Sequence, residues 1–234
     1  IQARNQSGKK FKVITIPVKF PKDVLKFKKE TVIGFDPRLH TEKQLNSFFN
    51  IKNIKLRSIK QNLVDLVWQN KKVSSVKPFF TISSKNTGAT SLKKVTQVQN
   101  ILFKNKVDYL FVTAPENVAW ILNIRGHDSF YSPVPNARLL ISKRGELNLF
   151  ANPRKLTKLK KNQIHYYDES KIENILSRLS GKRVWVDNFS CSFFYKNLLN
   201  RKNEIIEKID PIHFLKSIKN NTEIKNMKKT HIAD

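Results

Sequence analysis

The chain has 234 residues, of which 39% are hydrophobic, so it can fill one large or two small cores and is not disordered by composition. Its formal net charge is +27, from 45 Lys and Arg against 18 Asp and Glu. Cys191 is the single cysteine, which excludes a disulfide within the chain and a cluster of thiolate metal ligands and fits a reducing, cytoplasmic location.

Membrane insertion and secretion are not indicated. No stretch reaches the roughly 18 uninterrupted apolar residues of a membrane span, because Pro115, Glu116 and Asn117 interrupt the best candidate. Residues 1–10 lack the basic-then-apolar pattern of a signal peptide. The first residue is isoleucine rather than methionine, so we expect the chain to be a piece of a longer protein.

The excess of positive charge raises nucleic acid as a partner. Only ten of the 45 basic residues are Arg, whereas bidentate recognition of phosphate and guanine favours Arg, and the lysines are scattered along the chain. A solvated lysine surface is therefore the better interpretation of this charge than a specific nucleic-acid site.

The first third of the chain predicts strands that alternate with short helices, bounded by Pro, Asp and Asn residues of the kind that end strands and cap helices. The predicted elements are, in order, a strand over residues 10–17, a short helix from Pro21, a strand over residues 32–35 that ends at Asp36, a helix over residues 41–49, a strand over residues 51–59, and an apolar helix capped by Asn62 that runs to Trp68.

The middle of the chain predicts an amphipathic helix over residues 90–104, whose apolar positions are Leu92, Val95, Val98, Ile101 and Leu102. A strand over residues 108–112 follows, and Thr113 to Glu116 has the S/T-x-x-E pattern of a capping box with a proline inside it. The next helix is apolar nearly all round and stops at residues 123–126. A hairpin over residues 137–150 should turn at residues 143–146.

Two segments of the chain have the same predicted order of elements at an offset of 151 residues. Residues 161–187 give a strand, a helix stopped at Gly181, a strand and then Asp187, in step with residues 10–36. In both segments the aspartate leads into a helix, a Lys-Asn pair, a strand and an apolar helix. We therefore predict two copies of one unit, the first incomplete at its front, and a chain truncated at both ends.

The segment VTAPENVAWILNIRGHDSFYSPVPNARLLI resembles, without gaps, a signature of the Xaa-Pro aminopeptidases (aminopeptidase P) of the creatinase and prolidase superfamily. The shared features are an acidic residue, an apolar Trp-Leu run, Asn-hydrophobic-Arg-Gly and then Pro-Val. A second match runs from Asp210 through Met227 to His231 and is similar to that family's entry into its catalytic domain. The resemblance covers most of the chain.

The resemblance implies an α/β fold, the ribonuclease-H-like mixed sheet flanked by helices of creatinase and aminopeptidase P N-terminal domains, here with one partial and one complete copy. It places the C-terminal part of a first such domain at residues 1–74 and a second domain at residues 75–210. Residues 211–234 would begin the helical entry to a "pita-bread" catalytic domain that lies outside this sequence.

The family removes an N-terminal residue that precedes proline, and it uses two divalent metals, usually manganese, held by aspartates, a histidine and glutamates. None of those ligands can be matched to a position here, and no HExxH or similar ligand spacing occurs. We therefore predict no catalytic and no metal-binding residues, and a chain that is inactive alone. The implied partners are the catalytic domain, a second copy of the enzyme and a peptide with proline at its second position.

The candidate contact residues of the interdomain junction or substrate cleft are Asn123, Arg125, Gly126 and Asp128, because the first three form the Asn-hydrophobic-Arg-Gly signature, whose loop lies toward the junction in the family. Arg125 could pair with a carboxylate of the catalytic domain. His127 with Asp128 could be a base and its orienter, but a loop histidine beside a capping aspartate is favoured. Cys191 is favoured as a buried structural thiol and His213 as a surface histidine.

Two functions from different classes remain at this point. The first is the N-terminal, non-catalytic region of an Xaa-Pro aminopeptidase, which shapes the cleft and makes oligomer contacts. The second is a stand-alone basic module that binds nucleic acid or other anionic polymers through lysine.

Overall fold

The computed structural model describes residues 1–69, 76–159 and 163–233. The chain divides into two compact units, Ile1–Gln69 and Asn70–Asp234, called unit 1 and unit 2 below. The predicted boundary between residues 74 and 75 lies outside the described residues and stays a prediction.

Unit 1 is built on two parallel strands. Strand β1 pairs with β2, with Thr31 opposite Ile54, and the helix between them is capped by Thr41, whose side chain accepts from the backbone N of Gln44. Among the described residues of this unit only Phe35 and Leu45 are buried hydrophobic side chains. The elements are α1 (Gln2–Gln6), α2 (Pro21–Val24), β1 (Thr31–Phe35), α3 (Glu42–Phe49), β2 (Ile54–Ser58) and α4 (Leu63–Val67).

The strand predicted over residues 10–17 was wrong. The segment contains no strand, and Phe11 and Ile16 are exposed. A strand exists only when a neighbour completes its ladder of hydrogen bonds, and the described residues of unit 1 offer this segment none. The helix that Asn62 caps was confirmed, since its side chain accepts from the backbone N of Val64 at 2.9 Å.

Unit 2 contains a six-stranded mixed sheet in the order β10-β9-β4-β6-β7-β8. The β4–β6 and β6–β7 pairs are antiparallel and the other pairs are parallel. A short antiparallel pair, β3 with β5, lies outside this sheet. The strands are β3 (Phe80–Thr81), β4 (Tyr109–Val112), β5 (Ile124–Arg125), β6 (Arg138–Ser142), β7 (Leu147–Phe150), β8 (Ile164–Tyr167), β9 (Arg183–Val186) and β10 (Glu204–Glu207).

Helices cover both faces of this sheet, so two buried clusters form. One cluster includes Val98 and Leu102 of α6, Ile121 of α7 and Ile212 of α11, and the other includes Leu176 of α9 and Leu199 of α10. The helices of unit 2 are α5 (Ser84–Thr87), α6 (Ser91–Lys104), α7 (Pro115–Leu122), α8 (Pro153–Leu156), a 3-10 turn (Glu169–Lys171), α9 (Ile172–Ser177), α10 (Phe193–Asn200), α11 (Pro211–Ser217) and α12 (Asn221–Ala233).

The predicted mixed sheet with flanking helices was therefore confirmed, as was the hairpin, in which Gly145 adopts φ of +91° in the turn. The capping box at Thr113 was wrong. Helix α7 begins one residue later, with Ala114 at its N-cap and no side-chain cap, because Pro115 takes the first helical position and the Thr113 hydroxyl instead bonds the Ser190 hydroxyl at 2.8 Å.

The amphipathic helix α6 was confirmed, but its buried face was assigned with one error. Leu92 is 59% exposed, whereas Lys94 is 1% exposed. Among the described residues, no helix combines the length and the apolar character needed to cross a bilayer.

Candidate functional site

The candidate residues lie where α7 ends. Asn123 is the C-cap of this helix and adopts a left-handed conformation, with φ of +52° and ψ of +40°, which asparagine tolerates better than most residues. Its side chain is buried, with Oδ1 accepting from Lys94 Nζ at 2.8 Å and Nδ2 donating to the Ala89 carbonyl at 2.8 Å. Asn123 thus joins the end of α7 to α6 and to the segment before it.

Lys94 is a buried cation that the sequence analysis missed. Its Nζ donates to the Trp120 carbonyl at 3.0 Å as well as to Asn123, and it lies 4.1 Å from the centroid of the Trp120 ring. A ring face attracts a cation through its quadrupole, and the attraction is stronger away from water. Its position in the sequence could have predicted its burial, because Lys94 lies four residues before Val98 and therefore on the same face of an amphipathic helix.

Arg125 follows in the short strand β5, opposite Phe80 of β3. The side chain is half-buried, and Nη1 donates to the carbonyl oxygens of Ala119 at 3.1 Å and Ile124 at 2.9 Å. Desolvation by burial lowers the pKa of the guanidinium from its ordinary value. Its Nε and Nη2 atoms have no acceptor among the described residues, so part of the planar donor fork remains available.

Gly126 is required by close packing. A Cβ atom at this position would come within 2.9 Å of Pro135 Cα and 3.0 Å of the Val134 carbonyl oxygen, both of them backbone atoms. The backbone N of Gly126 donates to the Pro133 carbonyl at 3.2 Å. The Pro-Val-Pro connector therefore lies directly against Gly126. In the Arg-Gly pair of the signature, the arginine has donors available for a ligand, and the glycine has no room for a side chain.

Asp128 links the two ends of the loop over residues 127–136. Its Oδ2 accepts from the backbone N of Asn136 at 2.6 Å, and Oδ1 forms an ion pair with Lys155 Nζ at 2.6 Å, with both side chains close to buried. Both oxygens are engaged, so Asp128 does not orient His127, whose ring instead lies 5.3 Å from that of Phe80. The loop carries the fully exposed Phe130 and Tyr131 at its tip.

A cleft of about 610 Å³ lies beside Arg125, in unit 2. Trp120 lies in its lining with Lys216 of α11, Lys219, which follows the end of α11, and Glu223 of α12. Of the four candidates only Arg125 lines this cleft. Asn123 lines a separate cavity of about 910 Å³, and neither Gly126 nor Asp128 lines either one.

Lys216, Lys219 and Glu223 were not singled out from the sequence. They lie about 90 to 100 residues after Arg125, and no local pattern connects them with it. The Trp120 Nε1 donates to Glu223 Oε1 at 3.2 Å, and the backbone N of Asn220 donates to Oε2 at 2.9 Å. The one acidic residue of the lining is thus held by neutral donors.

The other groups considered as chemical candidates have structural environments. Cys191 is buried, and burial raises the pKa of its thiol to about 12, so the reactive thiolate is suppressed. His213 Nε2 lies 3.8 Å from Asp187 Oδ2, and the histidine is about one-third exposed. Within residues 1–69, 76–159 and 163–233 no three His, Cys, Asp or Glu side chains are grouped so as to hold a metal ion.

The fold and the family signature around Arg125 define the class of protein. Residues 70–223 match the model of the creatinase/prolidase N-terminal domain, and the chain belongs to this family. Among curated relatives, it is 31% identical over 223 residues to Xaa-Pro aminopeptidase 1 of Dictyostelium discoideum and 30% identical over 220 residues to Xaa-Pro aminopeptidase ApepP of Drosophila melanogaster. Each match covers 88% of this chain and 35% of the relative.

A solved structure shares the fold. The X-prolyl aminopeptidase of Caenorhabditis elegans, described as a cytosolic enzyme with a di-nuclear active site, superposes with a TM-score of 0.76 at 23% identity, over 88% of this chain and 36% of its own. The resemblance stated from the sequence was therefore confirmed. The chain spans about a third of the length of these peptidases, and none of them supports a basic module that binds nucleic acid.

Proposed function

We propose that this chain serves as the non-catalytic N-terminal region of an Xaa-Pro aminopeptidase-like metallopeptidase, an enzyme that removes an N-terminal residue preceding proline. The observation that carries the proposal is the match of residues 70–223 to an N-terminal domain family, together with relatives that are aminopeptidases about three times as long. The chain would form part of the wall of the substrate cleft and contribute oligomer contacts in a cytoplasmic enzyme. We retain residues 1–74, 75–210 and 211–234 as the proposed domain bounds.

The residues present do not fit the pair of divalent metals, proposed as manganese, that the family implies. The cleft beside Arg125 has Lys94, Lys216 and Lys219 in its lining against the single carboxylate of Glu223. Positively charged side chains repel a divalent cation, and hard cations need several oxygen ligands. We therefore assign the metal ligands to the catalytic part of the enzyme and give no metal-dependent step to this chain.

The sequence that follows Asp234 in the coding region tests this proposal directly. We expect it to encode aspartate, histidine and glutamate residues at metal-ligand spacing on a second domain. A stop codon at that point, with no separately encoded partner that restores activity, would contradict the proposal.

Arg125 and its neighbours are proposed as contacts of this region with the cleft. In the intact enzyme, replacing Arg125 by Ala should lower kcat/KM for an Xaa-Pro peptide by about tenfold or more, since a charge-assisted hydrogen bond contributes about 1.5 to 3 kcal/mol. The fold should persist because the half-buried guanidinium bonds only two carbonyls. Arg154→Ala, at an exposed arginine in α8, is the matched control. Unchanged kinetics in Arg125→Ala would reduce the turn to a scaffold.

A further inference from the structure

The cleft beside Arg125 has walls that are fixed by hydrogen bonds. Asn220 Nδ2 donates to the Thr87 carbonyl and Asn226 Nδ2 donates to the Asn86 carbonyl, each at 2.9 Å, so α12 is attached to α5. Gly88 allows this approach, because a Cβ atom there would lie 2.2 Å from Asn220 Oδ1. The volume of about 610 Å³ therefore lies between anchored elements and suits one or two side chains of a partner.

Positive charge in this cleft exceeds negative charge. Arg125, Lys216 and Lys219 line it beside Lys94, against Glu223 alone, and no ion pair involving Glu223 is found among the described residues. Desolvation lowers the pKa of Lys216, whose Nζ donates to Asn117 Oδ1 at 2.6 Å. Burial destabilises the charged form of these side chains, and an anion that enters the cleft would stabilise it.

The shape of the donor set favours a carboxylate. Arg125 commits Nη1 to two backbone carbonyls and has its Nε and Nη2 donors available, which is the planar arrangement that binds a carboxylate in a bidentate manner. Apolar surface from Ile82, Trp120 and Met227 lies in the same cleft. This surface matches a ligand with an apolar stem and one charged end better than a small, fully hydrated anion.

We propose that this cleft receives an acidic side chain of a polypeptide segment, with Arg125 as its bidentate partner, Lys219 as a second cation and Trp120 against the stem. Glutamate next to an apolar residue has the required chemistry. The identification of this segment with another part of the parent enzyme rests on the proposed function, whereas the binding chemistry does not.

The purified full chain can test the proposal through its three tryptophans. The Trp120 indole N–H lies in the cleft, while Trp185 donates to the Lys208 carbonyl elsewhere in unit 2 and Trp68 lies in unit 1. The labelled chain is titrated with a blocked peptide, acetyl-Ala-Leu-Glu-Leu-Ala-amide, and with its Glu-to-Gln counterpart, and the indole N–H signals are followed by NMR. We expect the Glu peptide to shift the Trp120 signal saturably and to leave the other two in place.

The Gln peptide should bind at least about tenfold more weakly, and Arg125→Gln should weaken the Glu peptide to the same degree, as loss of a charge-assisted bond requires. Lys219→Gln changes an exposed residue, so it keeps the test valid if Arg125→Gln does not fold. This variant should weaken binding of the Glu peptide about threefold. Lys171→Gln, at an exposed lysine outside the cleft, is the control and should leave binding unchanged.

Equal binding of the Glu and Gln peptides, or tighter binding of inorganic phosphate than of the Glu peptide, would overturn the proposal, as would a Trp120 signal that does not move. A stop codon after Asp234 would count against the proposed function and leave a positive result here intact.

Discussion

The same order of elements, strand-helix-strand-helix, occurs in both units of the chain. In unit 1 it is β1-α3-β2-α4, and in unit 2 it is β9-α10-β10-α11. Both strand pairs are parallel, with Thr31 opposite Ile54 in one and Arg183 opposite Glu204 in the other. The later part of the predicted repeat is thus present in the structure, while its first part is not, because unit 2 has strand β8 where unit 1 has no strand over residues 10–17.

The aspartate that follows the first strand contacts corresponding residues in the two units, although the second donor is a side-chain amide in one and a backbone N–H in the other. Asp36 accepts from the backbone N of Arg38 at 2.8 Å and from Asn62 Nδ2 at 2.9 Å. Asp187 accepts from the backbone N of Phe189 at 2.6 Å and from that of Asp210 at 2.7 Å. In each case one carboxylate closes the turn after the strand and holds the residue that caps the last helix.

The two regions differ in how deeply these residues are buried. Asp187 and Asp210 are 2% and 1% exposed, whereas Asp36 and Asn62 are only half-buried. In unit 2, β9 has β4 as a second neighbour and α11 packs on α7, while in unit 1 β1 pairs only with β2 among the described residues. Local sequence therefore sets the turn and the cap, and the surrounding elements set how much each contact contributes to stability.

The largest difference is expected on removing the aspartate itself. Asp187→Ala leaves the buried backbone N–H of Asp210 and the partly buried one of Phe189 without acceptors, at about 1 to 3 kcal/mol each, so we expect a loss of about 4 kcal/mol in the free energy of opening of unit 2. Asp36→Ala leaves groups that water can reach, so unit 1 should lose about 1 kcal/mol. Native-state hydrogen exchange of peptides from β9 and β1 measures each unit separately. Equal losses would show that burial does not govern these contacts.

The helix that ends each region gives the next test. Ile212 is the second residue after the cap of α11 and is fully buried, whereas Val64, in the same position of α4, is 61% exposed. Ile212→Ala should cost about 3 kcal/mol, because it removes buried methyl groups and leaves a cavity. Val64→Ala should change stability by no more than about 0.5 kcal/mol. The same exchange experiment on α11 and α4 measures both, and a cost above about 1.5 kcal/mol for Val64→Ala would mean that α4 is covered in solution.

The helix caps, the hairpin turn and the end of α7 could be predicted from the sequence because local chemistry determines them. Asn62 caps the helix predicted for it, a helix lies where one was predicted over residues 41–49, the hairpin turn is at Gly145 within the predicted residues 143–146, and Asn123 ends α7. These residues act within a few positions of themselves, through caps and left-handed turns, so the sequence is enough to find them.

Other features could not be predicted because they depend on distant parts of the chain. The burial of Lys94 needs Trp120 and Asn123, 26 and 29 residues away, and the cleft needs Lys216 and Glu223 beside Arg125. Thr113 fits a capping box by pattern, but its hydroxyl is used by Ser190, which is 77 residues away. The family signature accordingly drew attention to Arg125, whereas the other cations of the cleft, Lys94, Lys216 and Lys219, carry no recognisable pattern of a binding site and were not singled out.

The smallest effect, and the most specific, concerns the pH dependence of the cap. The pKa of Asp210 is raised to about 6. Burial is the main cause and the Asp187 carboxylate adds to it, while the hydrogen bonds from Asn117 Nδ2 and from the backbone N of Ile212 oppose the rise, as does the charge of His213. The folded state therefore holds the Asp210 proton more tightly than the unfolded chain, whose pKa is about 3.8. The stabilisation from this proton is full below about pH 4 and is lost as pH rises through about 6.

Asp210→Asn removes this dependence because the amide is never charged, and asparagine caps a helix as well as aspartate. The raised pKa corresponds to about 3 kcal/mol at most, discounted to about 2 kcal/mol for relaxation around the charge. The stability of the variant minus that of the parent should therefore rise by about 2 kcal/mol between pH 4 and pH 7, whatever constant offset the new contact with Asn117 adds. Hydrogen exchange in α11, corrected for intrinsic rates at each pH, measures it.

The reverse substitution in unit 1 is the matched control. Asn62→Asp places a carboxyl at the cap of α4, beside Asp36, but in a half-exposed position where water screens the charge. Its stability relative to the parent should change by less than about 1 kcal/mol over the same pH range. If Asn62→Asp gave a pH slope as large as that of Asp210→Asn, with the opposite sign, desolvation could not be the cause of the raised pKa at Asp210, and the difference between the two regions would have to come from their charges rather than from burial.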